Sequence, residues 1–216
     1  LLAAVADGMG GHEFGEVASY LVMRYLLSEW KRRKMKLANS NEIMLFLREV
    51  IMRANAHLYH VNHELQIRWC MGTTLSLGFF WGNRLTIAQI GDSRVYRLRH
   101  GKLQQLTRDQ SWREEMVANG IMSEEDAANH PLSNMLTNCV GAVRNVNIEF
   151  SQHKVSPGDR YLICSDGLSG MVPDNAIAKI FSDARHPGEA VNELIKSALQ
   201  GGGGDNVTVV CVFLSS

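Results

Sequence analysis

Four aspartates in this chain stand beside glycine where an apolar run ends: Ala6-Asp7-Gly8, Ile90-Gly91-Asp92, Ser165-Asp166-Gly167 and Gly204-Asp205-Asn206. Strand ends hold carboxylates at fixed positions on a rigid scaffold, and the adjacent glycine lets the backbone turn tightly and approach a ligand. Carboxylates gathered without Lys or Arg partners repel one another, and divalent cations relieve that repulsion. Oxygen donors with no His/Cys pattern at zinc spacing suit Mg2+ or Mn2+. Two such ions roughly 3.5 to 4 Å apart activate a water and brace the attacking and leaving oxygens of a phosphoryl displacement, so the pattern points to metal-assisted phosphoester hydrolysis. Any one Asp-Gly alone would be an ordinary turn. The recurring set, with Asp-Gly-x-x-Gly at Asp7 and again at Asp166, carries the functional reading.

The elements that must position these residues are visible in the periodicity. Residues 1 to 6 form an apolar strand, a glycine-dense loop follows, and Val17, Ala18, Leu21, Val22, Tyr25 and Leu26 recur at helical spacing. A polar stretch, 31 to 40, separates this helix from a second one reaching from Ile43 to about Leu65. Two long consecutive helices predict an antiparallel pair. Four short runs, 73–80, 84–90, 93–98 and 103–106, are separated by Gly82-Asn83, Gly91-Asp92 and His100-Gly101, the turn chemistry of an antiparallel meander. Residues 108 to 145 are more polar, with short helices expected at 112–119 and from Ser123, and read as an excursion from the core. Strands at 146–150 and 160–165, helices at 174–183 and 188–200, and a closing strand at 207–214 complete the pattern. Strands in runs and helices in pairs predict an α+β fold rather than βαβ alternation.

At 216 residues and 45% hydrophobic residues the chain can fill the core of a single domain. Its 22 Lys and Arg balance 22 Asp and Glu, which excludes binding of nucleic acid or an anionic membrane through a general electrostatic field. No apolar run approaches the ~20 residues of a membrane span. Cys70, Cys139, Cys164 and Cys211 are far apart with no CxxC pair, as expected of a cytoplasmic protein. His57, His60 and His63, spaced three apart, drift around a helix instead of stacking as i, i+4 ligands do. Lys31 to Lys34 read as a solvated helix end, and most methionines as core.

Five segments then carry a family resemblance: VADGMGGHEFGEVAS (5 to 19), MGTTL (71 to 75), IGDSRVYRL (90 to 98), LICSDGLSGMV (162 to 172) and GGDNVTVV (203 to 210). Together, in this order, the sequence resembles the bacterial PP2C-type (PPM) metal-dependent protein serine/threonine phosphatases over nearly its whole length. The resemblance implies a four-layer α-β-β-α sandwich, two antiparallel sheets flanked by antiparallel helix pairs, as one domain over 1–216 with a flap subdomain at about 108–145. It implies that Asp7 bridges two metals, that the Gly8 carbonyl binds one, and that Asp166 holds one ion and Asp205 the other. Asp92 matches the third-metal position shared with Asp166, and Asn206 supports Asp205. The implied chemistry is direct in-line attack of a metal-activated water on phosphoserine or phosphothreonine, without a phosphoenzyme.

The implied cofactors are Mn2+ or Mg2+. The implied partners are phosphorylated proteins and a serine/threonine kinase whose work the enzyme opposes, with the phosphatase itself a monomer. The family also carries an Arg-x-x-Asn-Glu-Asp-like segment ahead of the first motif, which would lie upstream of Leu1. Eukaryotic members place His directly after Asp-Gly, where this chain has Met9; a thioether cannot donate a proton, so the nearby His12 is the candidate general acid. The alternative for His12 is that it only caps or packs the loop, and the alternative for the chain is a catalytically impaired binding module.

Overall fold

The computed structural model describes residues 1–9, 14–32, 39–65 and 71–215. His12, Arg33, Lys34 and Cys70, singled out above, lie outside the described residues.

The runs that alternate in sequence form two four-stranded sheets. The first orders β1 (Leu2–Val5), β4 (Leu75–Trp81), β5 (Arg84–Ile90) and β8 (Glu149–Lys154) as β1-β4-β5-β8. The second runs β10-β9-β6-β7, from β6 (Arg94–Arg99), β7 (Lys102–Gln105), β9 (Arg160–Cys164) and β10 (Val209–Phe213). All pairings within them are antiparallel. The β6–β7 hairpin turns at His100-Gly101, both in the left-handed region at φ 50° and 74°, as its two-residue turn requires. A two-stranded ribbon of β2 (Gly8–Met9) and β3 (Gly72–Thr73) stands apart from the sheets.

Both faces of each sheet are covered, because successive side chains along a strand point to opposite faces. In β9, Tyr161 and Ile163 face the other sheet, joining Val5, Phe80, Leu85, Ile87 and Val95 between the two sheets. Leu162 and Cys164 of the same strand face α6 (Asp174–Asp183) and α7 (Pro187–Gln200), where they meet Ile177, Phe181, Leu194 and Ala198. Leu75, Leu77, Phe79, Ala88 and Ile90 of the first sheet pack on α1 (Phe14–Arg32) and α2 (Ser40–Glu64). Three apolar layers therefore separate four layers of structure, an α-β-β-α sandwich of the α+β class. Burial on both sides is why β4, β5 and β9 read as nearly continuous apolar runs, while the edge strand β10 is partly packed on both faces.

The helices start where the chain supplies caps. The Asn39 side chain accepts from the Glu42 N–H at 3.0 Å and donates to the Glu42 carboxylate at 2.9 Å, closing the N-terminus of α2 from both sides. Pro187 opens α7, where its missing N–H costs nothing. Two buried asparagines of α2 tie the far end of the polar excursion to the core: Asn55 bonds Val143, Arg144 and Gly141, and Asn62 bonds Met71 and Gly141.

Two local differences from the expected elements have physical reasons. The strand expected at 146–150 lies at 149–154, since Val146 and Ile148 are buried as core side chains while the sheet is completed by the polar edge run Glu149 to Lys154. Asp166–Ser169 forms a one-turn helix, α5, too short to leave a periodic signature. The excursion holds α3 (Trp112–Ala118) and α4 (Glu124–Ala128), which are capped by Ser111 and Ser123. His57, His60 and His63 do not form a cluster: they meet Tyr25, Glu64 and Tyr59, respectively. Among the described residues no helix is long and apolar enough to cross a membrane.

Candidate metal centre

Asp7 follows β1 and is clamped by the two threonines of the 71–75 motif. Its carbonyl accepts from the Thr74 N–H at 2.8 Å and the Thr73 hydroxyl at 2.9 Å, while its own N–H donates to Thr74 Oγ1 at 2.9 Å. Thr74 Oγ1 in turn lies 2.7 Å from Ser93 Oγ, joining the Asp7 loop to the Asp92 loop through hydroxyls that are buried. Gly8 packs against Gly15 of α1 so closely that a Cβ on Gly8 would lie 1.8 Å from the Gly15 carbonyl oxygen. The glycines at this junction thus serve close backbone approach, and α1 is held directly behind Asp7.

Asp92 sits on a turn fixed from three sides. Gly91 adopts φ 89°; its carbonyl accepts from Gln89 Nε2 at 2.9 Å and the Gln110 N–H at 3.0 Å, and its N–H donates to Gln110 Oε1 at 2.8 Å. Asp166 and Asp205 are stapled by the residue between β9 and α5: Ser165 Oγ accepts from the Thr208 N–H at 3.0 Å and donates to the Asn206 carbonyl at 3.2 Å. A Cβ on Gly167 would lie 2.2 Å from that same Asn206 carbonyl, so the loops bearing Asp166 and Asp205 touch backbone to backbone. The Asn206 N–H bonds the Asp205 carboxylate at 2.7 Å, which orients it.

The electrostatics show the four carboxylates sharing one field. Burial, then the charge and hydrogen bond of Asp166, and then Asp205 and Asp92 push the Asp7 carboxyl up to about 7. Burial, followed by Asp166 and Asp109, pushes Asp92 to about 7, with Arg94 only partly offsetting them. A cleft of about 470 Å³ opens here, lined by Asp92, Asp166 and Asp205 and, across from the sheets, by residues of the polar excursion that include Arg113 and Asn134. Among the described residues no three His, Cys, Asp or Glu side chains are grouped tightly enough to hold one ion by themselves. The donor set nonetheless fits hard cations, which bind through one or two carboxylates and complete their shells with carbonyl oxygen and water. Asp7 and Asp166 are within hydrogen-bonding reach of each other.

Several positioning residues lie outside the set the sequence singled out: Thr73, Thr74, Gln89, Ser93 and Gln110 make the bonds that aim Asp7 and Asp92. For Thr73, Thr74, Gln89 and Ser93 the signal was a polar side chain in or beside an apolar strand run, where each buried hydroxyl or amide needs a partner. His130 stacks on Trp112, with ring centroids 4.2 Å apart, and takes no place among the residues lining the cleft.

The comparisons agree with this geometry. The family model for protein phosphatase 2C matches residues 1–200. The serine/threonine phosphatase Stp of Listeria monocytogenes is 37% identical over 212 residues, covering 98% of this chain and 83% of that protein. A solved serine/threonine phosphatase of S. agalactiae superposes with a TM-score of 0.93 at 31% identity, covering 100% of this chain and 87% of that one. The catalytic domain of the phosphatase PstP, solved in complex with two manganese ions, superposes with a TM-score of 0.84 at 35% identity, covering 99% and 88%. From its fold, its carboxylate-lined cleft and these matches, the chain belongs to the protein phosphatase 2C family of metal-dependent phosphatases.

Proposed function

We propose that the chain hydrolyses phosphoserine and phosphothreonine in proteins, with Asp7, Asp166 and Asp205 holding two divalent cations and the Gly8 carbonyl completing one shell. The observation that carries this reading is the convergence of four strand-end aspartates: Asp92, Asp166 and Asp205 line one cleft, and the charges of all three act on the carboxyl of Asp7. Mn2+ or Mg2+ suits these oxygens, and Asp92 with Asp166 offers a place for a third ion. When bound, the cations supply an activated water and Lewis-acid stabilisation of the phosphoryl oxygens.

The chain's own residues do the rest. Thr73 and Thr74 hold the Asp7 backbone, and Ser165 keeps Asp166 and Asp205 in register. His12 is the general acid that protonates the departing serine or threonine oxygen. The segment at about 108–145 is the flap that walls the cleft and selects substrates. The enzyme acts as a monomer in the cytoplasm, opposing a serine/threonine kinase; the free thiols of Cys164 and Cys211 suit a reducing compartment.

The test is hydrolysis of a serine phosphopeptide with and without Mn2+. Turnover that requires the metal and stops on chelation is expected. Binding of the peptide with no turnover at any Mn2+ or Mg2+ concentration would replace the enzyme reading with that of a binding module.

A further inference from the structure

Two arginines line the cleft beside the carboxylates, and they are held very differently. Arg94 donates to Asp109 three times, Nε to both carboxylate oxygens at 3.0 Å and Nη2 to Oδ2 at 2.7 Å, and gives a fourth bond to the Tyr96 hydroxyl at 2.9 Å. With Asp109 only 15% exposed, that pair is fixed, and Arg94 has little left to offer a substrate. Arg113, on α3, pairs with Glu124 on α4; here the two side chains are 42% and 64% exposed. An ion pair between exposed side chains is weak and readily exchanged. A guanidinium fork donates to phosphoryl or carboxylate oxygens two at a time, more strongly for a doubly charged group.

We propose that Arg113 is a specificity-determining residue: it exchanges Glu124 for an anionic oxygen pair of the phosphoprotein, either the phosphoryl group itself or a carboxylate flanking the phosphorylated residue. The proposal rests on the phosphatase reading above and adds to it the feature of the substrate that the excursion recognises. Glu124 is then a competitor occupying the fork until substrate arrives. Removing the arginine weakens substrate binding, and neutralising the glutamate strengthens it. A mere strut between α3 and α4 would behave otherwise, since losing either partner would loosen the same contact and shift binding the same way.

The experiment uses the Mn2+-loaded protein and two serine phosphopeptides that differ only in having acidic or neutral residues beside the phosphoserine. Arg113→Ala is expected to raise KM about tenfold, the usual effect of losing a charged hydrogen bond, with a smaller change in kcat. The rise falls on the acidic peptide alone if the anion is a flanking carboxylate, and on both peptides equally if it is the phosphoryl group. Glu124→Gln should lower the same KM by roughly two- to fivefold, the worth of an exposed pair, and Arg113→Lys should recover only part of the loss. Fluorescence anisotropy of the two peptides needs no turnover, so it tests Arg113 separately from the hydrolase reading. Unchanged KM and affinity for both peptides in Arg113→Ala, or shifts of the same sign in Arg113→Ala and Glu124→Gln, would overturn the proposal.

Discussion

Asp166→Asn abolishes phosphopeptide hydrolysis, with kcat/KM down by about a thousandfold or more, while the metal-free protein becomes more stable. The loss follows from removing a carboxylate that the proposal assigns to the cations, whose Lewis-acid contribution is worth several kcal/mol, about three powers of ten in rate. The gain follows from electrostatics within the chain itself. Asp166 is the largest single neighbour raising Asp7, which burial and charge together push up to about 7. A carboxyl so raised holds a proton in the folded state that the unfolded chain releases from about pH 4 upward, so metal-free stability falls as pH rises through that window. Replacing Asp166 by the neutral amide removes the part of this penalty that its charge imposes on Asp7, while the part due to burial remains. In EDTA, the Tm of Asp166→Asn minus that of the wild type should therefore be larger at pH 8 than at pH 5. A variant that loses activity yet melts lower than the wild type at both pH values would show that Asp166 is structural and that the repulsion account is wrong.

Gly8→Ala should be the most damaging of the glycine substitutions at the centre. Its new Cβ would lie 1.8 Å from the Gly15 carbonyl oxygen, which is backbone and cannot swing aside. Either α1 or the Asp7 loop must move, at a cost of about 2 to 3 kcal/mol typical of overpacking, which lowers Tm by roughly 5 to 10 °C in a protein of this size. Because Thr73 and Thr74 hold the Asp7 backbone to within ordinary hydrogen-bond distances, a shift of that loop also misaims its carboxylate, and hydrolysis should fall with stability. Gly188→Ala is the control. It lies in α7, where the nearest atom to a new Cβ is a side-chain nitrogen of His186 at 3.4 Å, and both Tm and activity should stay near those of the wild type. A Gly8→Ala protein with wild-type melting and turnover would mean that the close approach of β2 and α1 does not matter to the centre.

What could be seen in the sequence and what could not follows from the range of the interactions involved. β4, β5 and β9 were legible because burial on both faces makes them almost uninterrupted apolar runs, β10 because both faces of this edge strand carry partly packed apolar side chains, and α2 because its buried positions recur every three or four residues over 25 residues. β8 was displaced in the sequence reading because an edge strand answers to solvent on one side, and Glu149 to Lys154 carries little apolar signal. The aspartates were legible because each has a glycine neighbour at a strand end. Their clamps were not: Thr74 reaches Asp7 across 67 residues, and Ser165 reaches Asn206 across 41, so no local pattern records either contact. The division between Arg94 and Arg113 was hidden for the same reason. Which arginine is already spent depends on where Asp109 and Glu124 come to rest, and only the fold decides that.

The central claim, that these aspartates converge to hold divalent cations, is tested most directly by anomalous diffraction from crystals of the protein equilibrated with Mn2+. The account predicts at least two anomalous peaks in contact with the carboxylates of Asp7, Asp166 and Asp205. Absence of manganese at those side chains, in crystals of protein that hydrolyses phosphoserine at the same Mn2+ concentration, would contradict it.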